Sequence, residues 1–274
     1  MTPGPAGFFD QAPESLVAFL RCAVDIRNVD VEAASRRGIL VTRATPGFAA
    51  SVSELGIAMM IDLARGVSEA AGIYRAGGAP VPRMGRQLQG STIGIIGYGV
   101  IAQHLARLAA ALGMTVLACD PHLTITDPHV RQAPFETLLS EADFVVCLAV
   151  ATQETENLMN AAAFARMQPH AYFVNLSRGN LVDEQALLAA LDGRRIAGAA
   201  MDVGRAPDQM PSPELARRSD VIAVPHIGGL TPSAVEHQAF DTVEQVRAIL
   251  AGLVPANAVN LDAAARFVRF RESL

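Results

Sequence analysis

The chain has 274 residues, of which 51% are hydrophobic and 18% charged, and its formal net charge is −5. A chain of this length can bury the cores of two domains, since one domain commonly holds about 100 to 200 residues. The mild negative charge and the lack of a Lys/Arg run argue against a nucleic-acid or anionic-membrane partner. No apolar run approaches the roughly 18 residues that a membrane span needs.

The opening residues, MTPGPAGFFDQAPESL, lack the basic region and the long apolar region of a signal peptide. Cys22, Cys119 and Cys147 share no spacing typical of a metal site or a redox pair. We therefore expect a cytoplasmic protein without a metal, whose three thiols are buried and reduced.

Two long helical stretches divide the chain. The first, SVSELGIAMMIDLARGVSEAAGIYRAG, begins at Ser51 with Ser-x-Ser-Glu, a pattern typical of a helix N-cap, and the second begins near Thr231. A Gly- and Pro-rich link, GGAPVPRMGRQLQG, follows the first stretch. We expect residues 1–49 and 232–274, from the two ends of the chain, to form a small domain, and residues 50–231 to form the other.

Six short apolar runs alternate with helical segments between these two stretches. Most of the runs are apolar throughout, as strands buried on both faces require, which predicts a parallel sheet covered by helices on both sides. The predicted fold class is therefore α/β, a doubly wound parallel sheet with a second, smaller domain. The runs span residues 92–97, 114–120, 143–150, 171–177, 196–203 and 220–226.

The strongest local motif, GIIGYGVIA, lies between the first of these strands and a helix. Gly97, Gly99 and Ala102 form G-x-G-x-x-A, whose glycines allow a tight turn and let backbone amides approach a pyrophosphate. The next strand ends at Asp120, 21 residues beyond Gly99, where an acid can bind ribose hydroxyls and would repel a 2′-phosphate. This combination predicts a Rossmann-type domain that binds NAD; the alternative is a chance glycine turn.

Three further polar residues end strands of the same sheet. They are Arg178, Asp202 and His226. Because the carboxyl ends of parallel strands meet at one edge, we expect all three to line the edge where ligands bind in open α/β sheets. The alternatives are a surface arginine, a turn-capping aspartate and a structural histidine.

Several blocks together resemble the D-isomer-specific 2-hydroxyacid dehydrogenase family. They are GIIGYGVIA, CDP, YFVNLSRGNLVDEQAL, MDV, VPHIGGLT and VPANAVN, and the resemblance runs from about residue 20 to 260. It implies two α/β domains with NAD bound between them, a homodimer formed through the cofactor domain, and interconversion of 2-keto acids and (R)-2-hydroxy acids. The smaller domain would be flavodoxin-like and truncated.

The resemblance also implies residue roles. Arg178 would bind the substrate carboxylate, His226 would exchange a proton with the substrate oxygen, and Asp202 would hold the nicotinamide carboxamide. The remaining expected cofactor contacts lie at the strand ends and the turns that follow them. The full set of expected cofactor contacts is Gly97, Tyr98, Gly99, Val100, Ile101, Asp120, Thr152, Leu176, Ser177, Arg178, Asp202, His226, Gly228 and Gly229.

The loop after Asp202 departs from the family pattern. Relatives place a glutamate there that bonds to the catalytic histidine, whereas this chain has Ala206 before a proline. Without a carboxylate partner, the pKa of the histidine should return toward its ordinary value of about 6.5. Asp208 could replace the glutamate as a catalytic residue, or it could be an ordinary turn residue.

A second departure lies in RCAVDIRNVD. Relatives have glycines at the positions of Ala23 and Asp25, where backbone amides receive the substrate carboxylate. An acid there should weaken the binding of anionic substrates unless Arg27 offsets it. Otherwise the substrate carries a cationic or hydrogen-bonding group, or the loop is shifted.

The chain also begins later than its relatives, which predicts either a misassigned start or a reduced protein. The leading hypothesis is an NAD-dependent dehydrogenase of small D-2-hydroxy acids. The competing hypothesis is a non-catalytic NAD sensor or interaction protein on the same fold. Dimerisation is expected from the resemblance and from the nearly all-round apolar stretch between Val52 and Leu63.

Overall fold

The computed structural model describes residues 4–274, apart from the side chain of Asp208. The chain divides into a discontinuous unit, Met1–Gly47 with Thr231–Leu274, and a continuous unit, Phe48–Leu230. The expected boundaries, after residues 49 and 231, differ from those of the structure, after 47 and 230, by two residues and one.

Strands and helices alternate along most of the chain, as expected for an α/β protein. The strands are β1 (Ala18–Arg21), β2 (Leu40–Arg43), β3 (Thr92–Ile96), β4 (Thr115–Cys119), β5 (Val130–Gln132), β6 (Phe144–Cys147), β7 (Tyr172–Asn175), β8 (Gly198–Met201) and β9 (Val221–Ala223). The α-helices are α1 (Ala6–Asp10), α2 (Val31–Arg36), α3 (Ala49–Arg65), α4 (Val67–Arg75), α5 (Val100–Ala111), α6 (Phe135–Glu141), α7 (Ala161–Arg166), α8 (Glu184–Asp192), α9 (Pro213–Ala216), α10 (Pro232–Leu250) and α11 (Ala265–Glu272). Short 3-10 turns lie at Gly179–Leu181, Pro207–Gln209 and Leu261–Ala263.

The continuous unit is built on a seven-stranded parallel sheet in the order β5-β4-β3-β6-β7-β8-β9. The chain moves outward from β3 through β4 to β5, and then starts again on the other side at β6. Two clusters of buried apolar side chains involve these strands and the helices of the unit. The predicted doubly wound sheet is therefore confirmed, and its strand order reverses between β3 and β6, where such folds bind nucleotides.

Strand β5 was not predicted. It has three residues, and Arg131 and Gln132 are exposed because the strand lies at the edge of the sheet. A short edge strand with polar side chains carries neither the apolar run nor the alternation by which strands are recognised.

The predicted helical stretch from Ser51 is two helices, α3 and α4. Gly66 separates them in a left-handed conformation, with φ of 65°, which a side chain would disfavour. The predicted cap at Ser51 is also wrong, since α3 begins at Ala49 after Phe48 and has no side-chain cap. The second prediction is correct: the Thr231 hydroxyl accepts the Ala234 amide, and α10 follows it.

The discontinuous unit is built from both ends of the chain. Its two parallel strands, β1 and β2, are joined to the C-terminal segment at Val41, whose carbonyl accepts the Val259 amide at 2.8 Å. Asn260 accepts the Val41 amide through Oδ1 and donates to the Ile39 carbonyl through Nδ2. One asparagine thereby satisfies two backbone groups, the Val41 amide within β2 and the Ile39 carbonyl just before it.

The three thiols differ in exposure. Cys147 is fully buried, and burial raises its pKa to about 12. Cys119 is partly buried, but Cys22 is exposed, so the prediction of three buried thiols is wrong for Cys22. Cys22 directly follows β1 rather than lying within an apolar strand.

Within residues 4–274, we find no helix long and apolar enough to cross a membrane. The described side chains also contain no cluster of three His, Cys, Asp or Glu able to hold a metal ion.

Asp143 stabilises the sheet at the end where its parallel strands begin. Its carboxylate accepts the Thr92 amide at 2.8 Å and His170 Nε2 at 2.9 Å, and it pairs with Arg86. Burial raises the pKa of Asp143, but the Thr92 amide, Arg86 and His170 together outweigh this effect and hold the pKa below its usual value. The carboxylate therefore stabilises the fold above the unfolded-state pKa, and this contribution is lost as the pH falls through the lowered, folded-state pKa.

We expect Asp143→Asn to lower the free energy of unfolding at pH 7 by roughly 1 to 2 kcal/mol, because an amide bonds these donors less strongly. Urea unfolding at pH 7 and below about pH 4 measures the effect, and the gap between wild type and variant should narrow in acid. Glu141→Gln, which breaks the exposed pair with Arg131, is the control and should change little. An equal gap at both pH values would contradict the assignment.

Candidate functional site

The glycine turn after β3 has the geometry that a dinucleotide requires. Gly97 has φ of 84°, and a Cβ there would lie 2.6 Å from the Ala149 Cα, so a side chain would collide with backbone. Gly99 is the N-cap of α5, and nothing lies within 4 Å of a Cβ built on it. Ala102, only 1% exposed, lies in the core cluster beneath the turn. The turn therefore leaves the start of α5 open to a pyrophosphate.

Asp120 follows β4 and is fixed against the same turn. Its Oδ2 accepts the Tyr98 amide at 2.8 Å, and its Oδ1 accepts the His122 amide at 2.9 Å. Each carboxylate oxygen keeps capacity for a second hydrogen bond, which the ribose hydroxyls of NAD can supply. The residues at this edge of the sheet therefore fit NAD, and the negative charge disfavours a 2′-phosphate.

Tyr98, whose contact with the cofactor stays a prediction, is turned inward in this structure. Its amide donates to Asp120, its ring is 5% exposed, and its hydroxyl lies 3.4 Å from Asp127 Oδ2. The residue is turned inward because the preceding glycine directs the next amide toward the end of β4. Tyr98 thus holds the turn in place.

The other expected cofactor contacts lie along the same edge. Leu176 is buried, and Ile101 accepts the Ser53 hydroxyl through its carbonyl at 3.1 Å. Val100 is 57% exposed at the start of α5, while Thr152 lies in an exposed turn closed by Thr155. Val100 and Thr152 are therefore the members of this group accessible to a ligand, whereas Leu176 packs beneath it.

Arg178 lies in a turn that a buried asparagine organises. Asn175, at the end of β7, donates from Nδ2 to the Arg178 carbonyl at 3.0 Å and accepts the Ser177 amide through Oδ1 at 3.1 Å. The Ser177 hydroxyl donates to the Ala149 carbonyl, which fixes the turn against the loop after β6. Sequence reasoning missed Asn175, although a polar residue closing an apolar run was a usable signal.

Asp202 and His226 form one substructure. The buried Asp202 carboxylate accepts the Ile227 amide at 2.7 Å through Oδ1 and the Gly228 amide at 3.1 Å through Oδ2. The Asp202 carbonyl accepts the His226 amide at 2.9 Å. A Cβ on Gly228 would lie 2.8 Å from Asp202 Oδ2. Asp202 thus holds the turn that carries His226, a role the sequence did not predict.

The backbone at His226 is unusual. Its φ is 53°, a left-handed conformation that costs free energy for most side chains and that clusters at functional sites. The bonds from Asp202 to the His226 turn hold it in this conformation. Gly229 completes the turn, and a Cβ there would lie 3.6 Å from the Phe48 Cβ.

Asp202 also links the charges of the site. Burial raises its pKa, and the opposing effects of the Ile227 and Gly228 amides, His226 and Arg178 reduce but do not cancel this rise. Because the charges of His226 and Arg178 both lower the pKa of Asp202, these three predicted residues lie near one another.

The loop after Asp202 closes on itself. The Gly204 amide donates to the Gln209 carbonyl at 2.8 Å, and the Ala206 amide donates to the Met210 carbonyl at 3.1 Å. Ala206 thus occupies a compact turn and offers no carboxylate. The side chain of Asp208 lies outside the described residues, so its pairing with His226 stays a prediction.

In the discontinuous unit, Arg27 offsets the unexpected acid. Arg27 Nη2 donates to Asp25 Oδ2 at 2.8 Å, and the Arg27 amide donates to Asp25 Oδ1 at 3.0 Å. The Ala23 carbonyl accepts the Ala44 amide at 3.1 Å, which ties the loop to the end of β2. A cationic substrate is therefore not needed to balance Asp25.

Comparison with known proteins decides the family. Residues 57–228 match the model of the D-isomer specific 2-hydroxyacid dehydrogenase, NAD binding domain. The chain belongs to the D-isomer specific 2-hydroxyacid dehydrogenase family. The matched residues contain every expected cofactor contact except Gly229, and NAD is the cofactor of this domain.

Individual members of this dehydrogenase family show how far the match extends. The chain is 37% identical over 257 residues to the D-3-phosphoglycerate dehydrogenase of Synechocystis, which covers 92% of this chain but 46% of that protein. It is 34% identical to the glyoxylate reductase of Thermococcus litoralis over 92% of this chain and 79% of that one. The chain thus spans about half the length of the first of these relatives.

A solved structure of the family agrees with the fold. The apo structure of D-lactate dehydrogenase from Escherichia coli is 27% identical, with a TM-score of 0.84 over 94% of this chain and 83% of that one. The names of these three relatives mention different substrates, so family membership does not specify the substrate of this dehydrogenase.

The geometry at Asp120 predicts cofactor preference in this family member. We expect Asp120→Asn to weaken NADH binding about 10-fold and to weaken NADPH binding less, because the amide loses charge but keeps the size of the side chain. Fluorescence titration with both nucleotides gives the ratio of the two dissociation constants. Asp127→Asn, which removes the other acid near Tyr98, is the control, and an unchanged ratio in Asp120→Asn would refute the assignment.

Proposed function

We propose that the chain is an NAD-dependent oxidoreductase that transfers a hydride between NAD(H) and a small 2-hydroxy or 2-keto acid of D configuration. The observation that carries this proposal is the buried Asp202 carboxylate. It holds the His226 turn by hydrogen bonds and interacts electrostatically with Arg178. A carboxylate-binding cation and a proton donor are thereby gathered at the nucleotide-binding edge of the sheet.

The residues have distinct tasks in this proposal. Arg178 binds the substrate carboxylate and polarises the carbonyl oxygen, since a guanidinium matches carboxylate geometry. Protonated His226 donates its proton to that oxygen as it becomes a hydroxyl, and takes the proton back in the oxidation direction. NADH, when bound, supplies the hydride. Asp202 holds the turn that carries His226 through the Ile227 and Gly228 amides.

The test is turnover by the purified chain. With NADH and a panel of 2-keto acids that includes glyoxylate, pyruvate and phosphohydroxypyruvate, we expect loss of NADH absorbance at neutral or mildly acid pH. Normal NADH binding without turnover of any panel member would overturn the proposal. It would favour the second candidate, a non-catalytic NAD-binding sensor, which the absence of a carboxylate at Ala206 supports.

We also propose that the protein forms a homodimer through the continuous unit. Large apolar side chains are exposed along α3, α4 and the following loop; Tyr74 is 68% exposed and Met84 is 99% exposed. Ile61 on α3 and Val67 on α4 are exposed as well, and large exposed apolar surfaces mark sites of protein interaction. Light scattering should give twice the 28.9 kDa chain mass, and Tyr74→Glu should shift the protein toward monomer. A wild-type monomer at micromolar concentration would contradict this.

A further inference from the structure

Arg205 lies in the loop where the family pattern breaks, three residues beyond Asp202. Its guanidinium donates from Nε to the Val182 carbonyl at 2.9 Å and from Nη2 to the Asn180 carbonyl at 2.9 Å. Both carbonyls belong to the segment that directly follows Arg178. A side chain from one active-site loop thus binds the backbone of another.

Carboxylate and amide oxygens complete this arrangement. Arg205 Nη2 lies 2.8 Å from Glu156 Oε1 and 2.5 Å from Asn157 Oδ1, while the Arg205 amide donates to Glu184 Oε1 at 3.0 Å. Hydrogen bonds from Asn180 and Arg205 hold the pKa of Glu156 below its usual value. Two separate chain segments, residues 156–157 and 180–184, converge on Arg205, which distinguishes it from an ordinary exposed ion pair.

The two loops also touch directly through glycine. A Cβ on Gly179 would lie 2.0 Å from the Gly204 carbonyl oxygen, and a Cβ on Gly204 would lie 2.5 Å from the Pro211 Cα. No side chain can separate the backbones at this point. Gly179 follows Arg178 and Gly204 precedes Arg205, so the close approach and the guanidinium bonds fix the same pair of loops.

We propose that Arg205 is a positioning residue that sets Arg178 relative to His226. Arg205 is bonded to the segment that directly follows Arg178, and Arg205 itself follows the strand end where Asp202 holds the His226 turn. Arg205 thus links two groups of the proposed reaction through the backbone, in the loop that lacks the family glutamate. This inference rests on the proposed function, because its effect is on turnover.

The test compares Arg205→Met with a matched control. In Arg205→Met we expect kcat for the 2-keto acid to fall about 10- to 100-fold, since a shift of about 1 Å in a catalytic group can cost this much. The dissociation constant of NADH should stay within about twofold. Arg205→Lys, which can replace only part of the fork of donors, should recover a fraction of the lost kcat.

Arg218→Met is the control. Arg218 pairs with Asp192 and Asp220 in the same unit but bonds neither the Arg178 turn nor the loop after Asp202. It should lower the melting temperature without lowering kcat. If Arg205→Met is insoluble, Arg205→Gln and Arg205→Lys provide the comparison.

The outcomes separate the two proposals. No turnover by the wild type overturns the proposed function and this inference with it. An active wild type with unchanged kcat in the Arg205 variants overturns this inference alone. If Arg218→Met lowers kcat as much as Arg205→Met does, the loss reflects general destabilisation of the fold. That result would also overturn this inference.

Discussion

Arg178→Ala will lower kcat/KM for the 2-keto acid by about 1,000-fold or more, while NADH affinity stays within about threefold. A preorganised charge at the reacting oxygen is commonly worth about 3 to 4 kcal/mol, and each 1.4 kcal/mol corresponds to a factor of 10 in rate. The variant should fold normally, because the Asn175 side chain holds the turn through the Arg178 carbonyl and the Ser177 amide, although the bond from the Arg178 guanidinium to the Ser177 carbonyl is lost.

Steady-state kinetics with parallel NADH titration checks this result. Arg178→Lys restores the charge without the bidentate geometry and should recover about one tenth of the wild-type rate or less. Arg217→Ala removes an exposed arginine of the same unit and serves as the control. An Arg178→Ala variant with wild-type kcat/KM would remove Arg178 from the mechanism.

His226→Asn will lower kcat for reduction about 100- to 10,000-fold, the usual range for loss of a general acid. Asparagine is the suitable replacement because it tolerates the left-handed backbone found at this position, where φ is 53°. Loss of rate therefore reports the missing imidazole and not a rearranged turn. The decrease of kcat/KM with rising pH, which reports deprotonation of the acid, should disappear in the variant.

The measurement is a pH series of kcat/KM for the wild type and the variant. His129→Asn changes an exposed loop histidine and should keep both the rate and the pH profile. If His226→Asn keeps the alkaline decrease, another group donates the proton. A loss of NADH binding equal to the loss of rate would instead assign His226 to cofactor binding.

Much of the fold was accessible from the sequence because its signals are local. The apolar runs, the glycine turn at Gly97 and the acid at Asp120 each follow from short-range rules, and the doubly wound sheet and NAD binding are confirmed. Parallel strands then place Arg178, Asp202 and His226 at one edge without knowledge of any contact. Local patterns also explain the errors, since Gly66 interrupts a helix whose composition is otherwise continuous.

The hydrogen bonds and contacts within the site could not be predicted from the sequence. These contacts join segments that are far apart in the chain. Examples are the bonds from Asp202 to the His226 turn, the bond from the Tyr98 amide to Asp120, and the contacts of Arg205. Such contacts depend on the angle at which each loop leaves its strand, which composition and spacing do not determine. The offset of Asp25 by Arg27 was an open alternative, and the structure resolved it because the two residues are neighbours in one turn.

The division of the chain has a consequence for the order of folding. The discontinuous unit cannot form until residues 231–274 have been synthesised, 183 residues after its first segment ends, by the bounds of the continuous unit, Phe48–Leu230. Closing a flexible loop of that length costs about 4 to 5 kcal/mol of entropy. Folding of the continuous unit removes this cost, because it brings Phe48 and Gly229 into contact. Phe9 and Ile39 share a core cluster with residues of the first segment alone, whereas Leu40 packs in a cluster with Ile249, Ala264 and Phe267. At about 5 to 20 residues per second, Leu40 waits roughly 10 to 45 seconds for these partners, so one of the first buried side chains made is among the last to be packed.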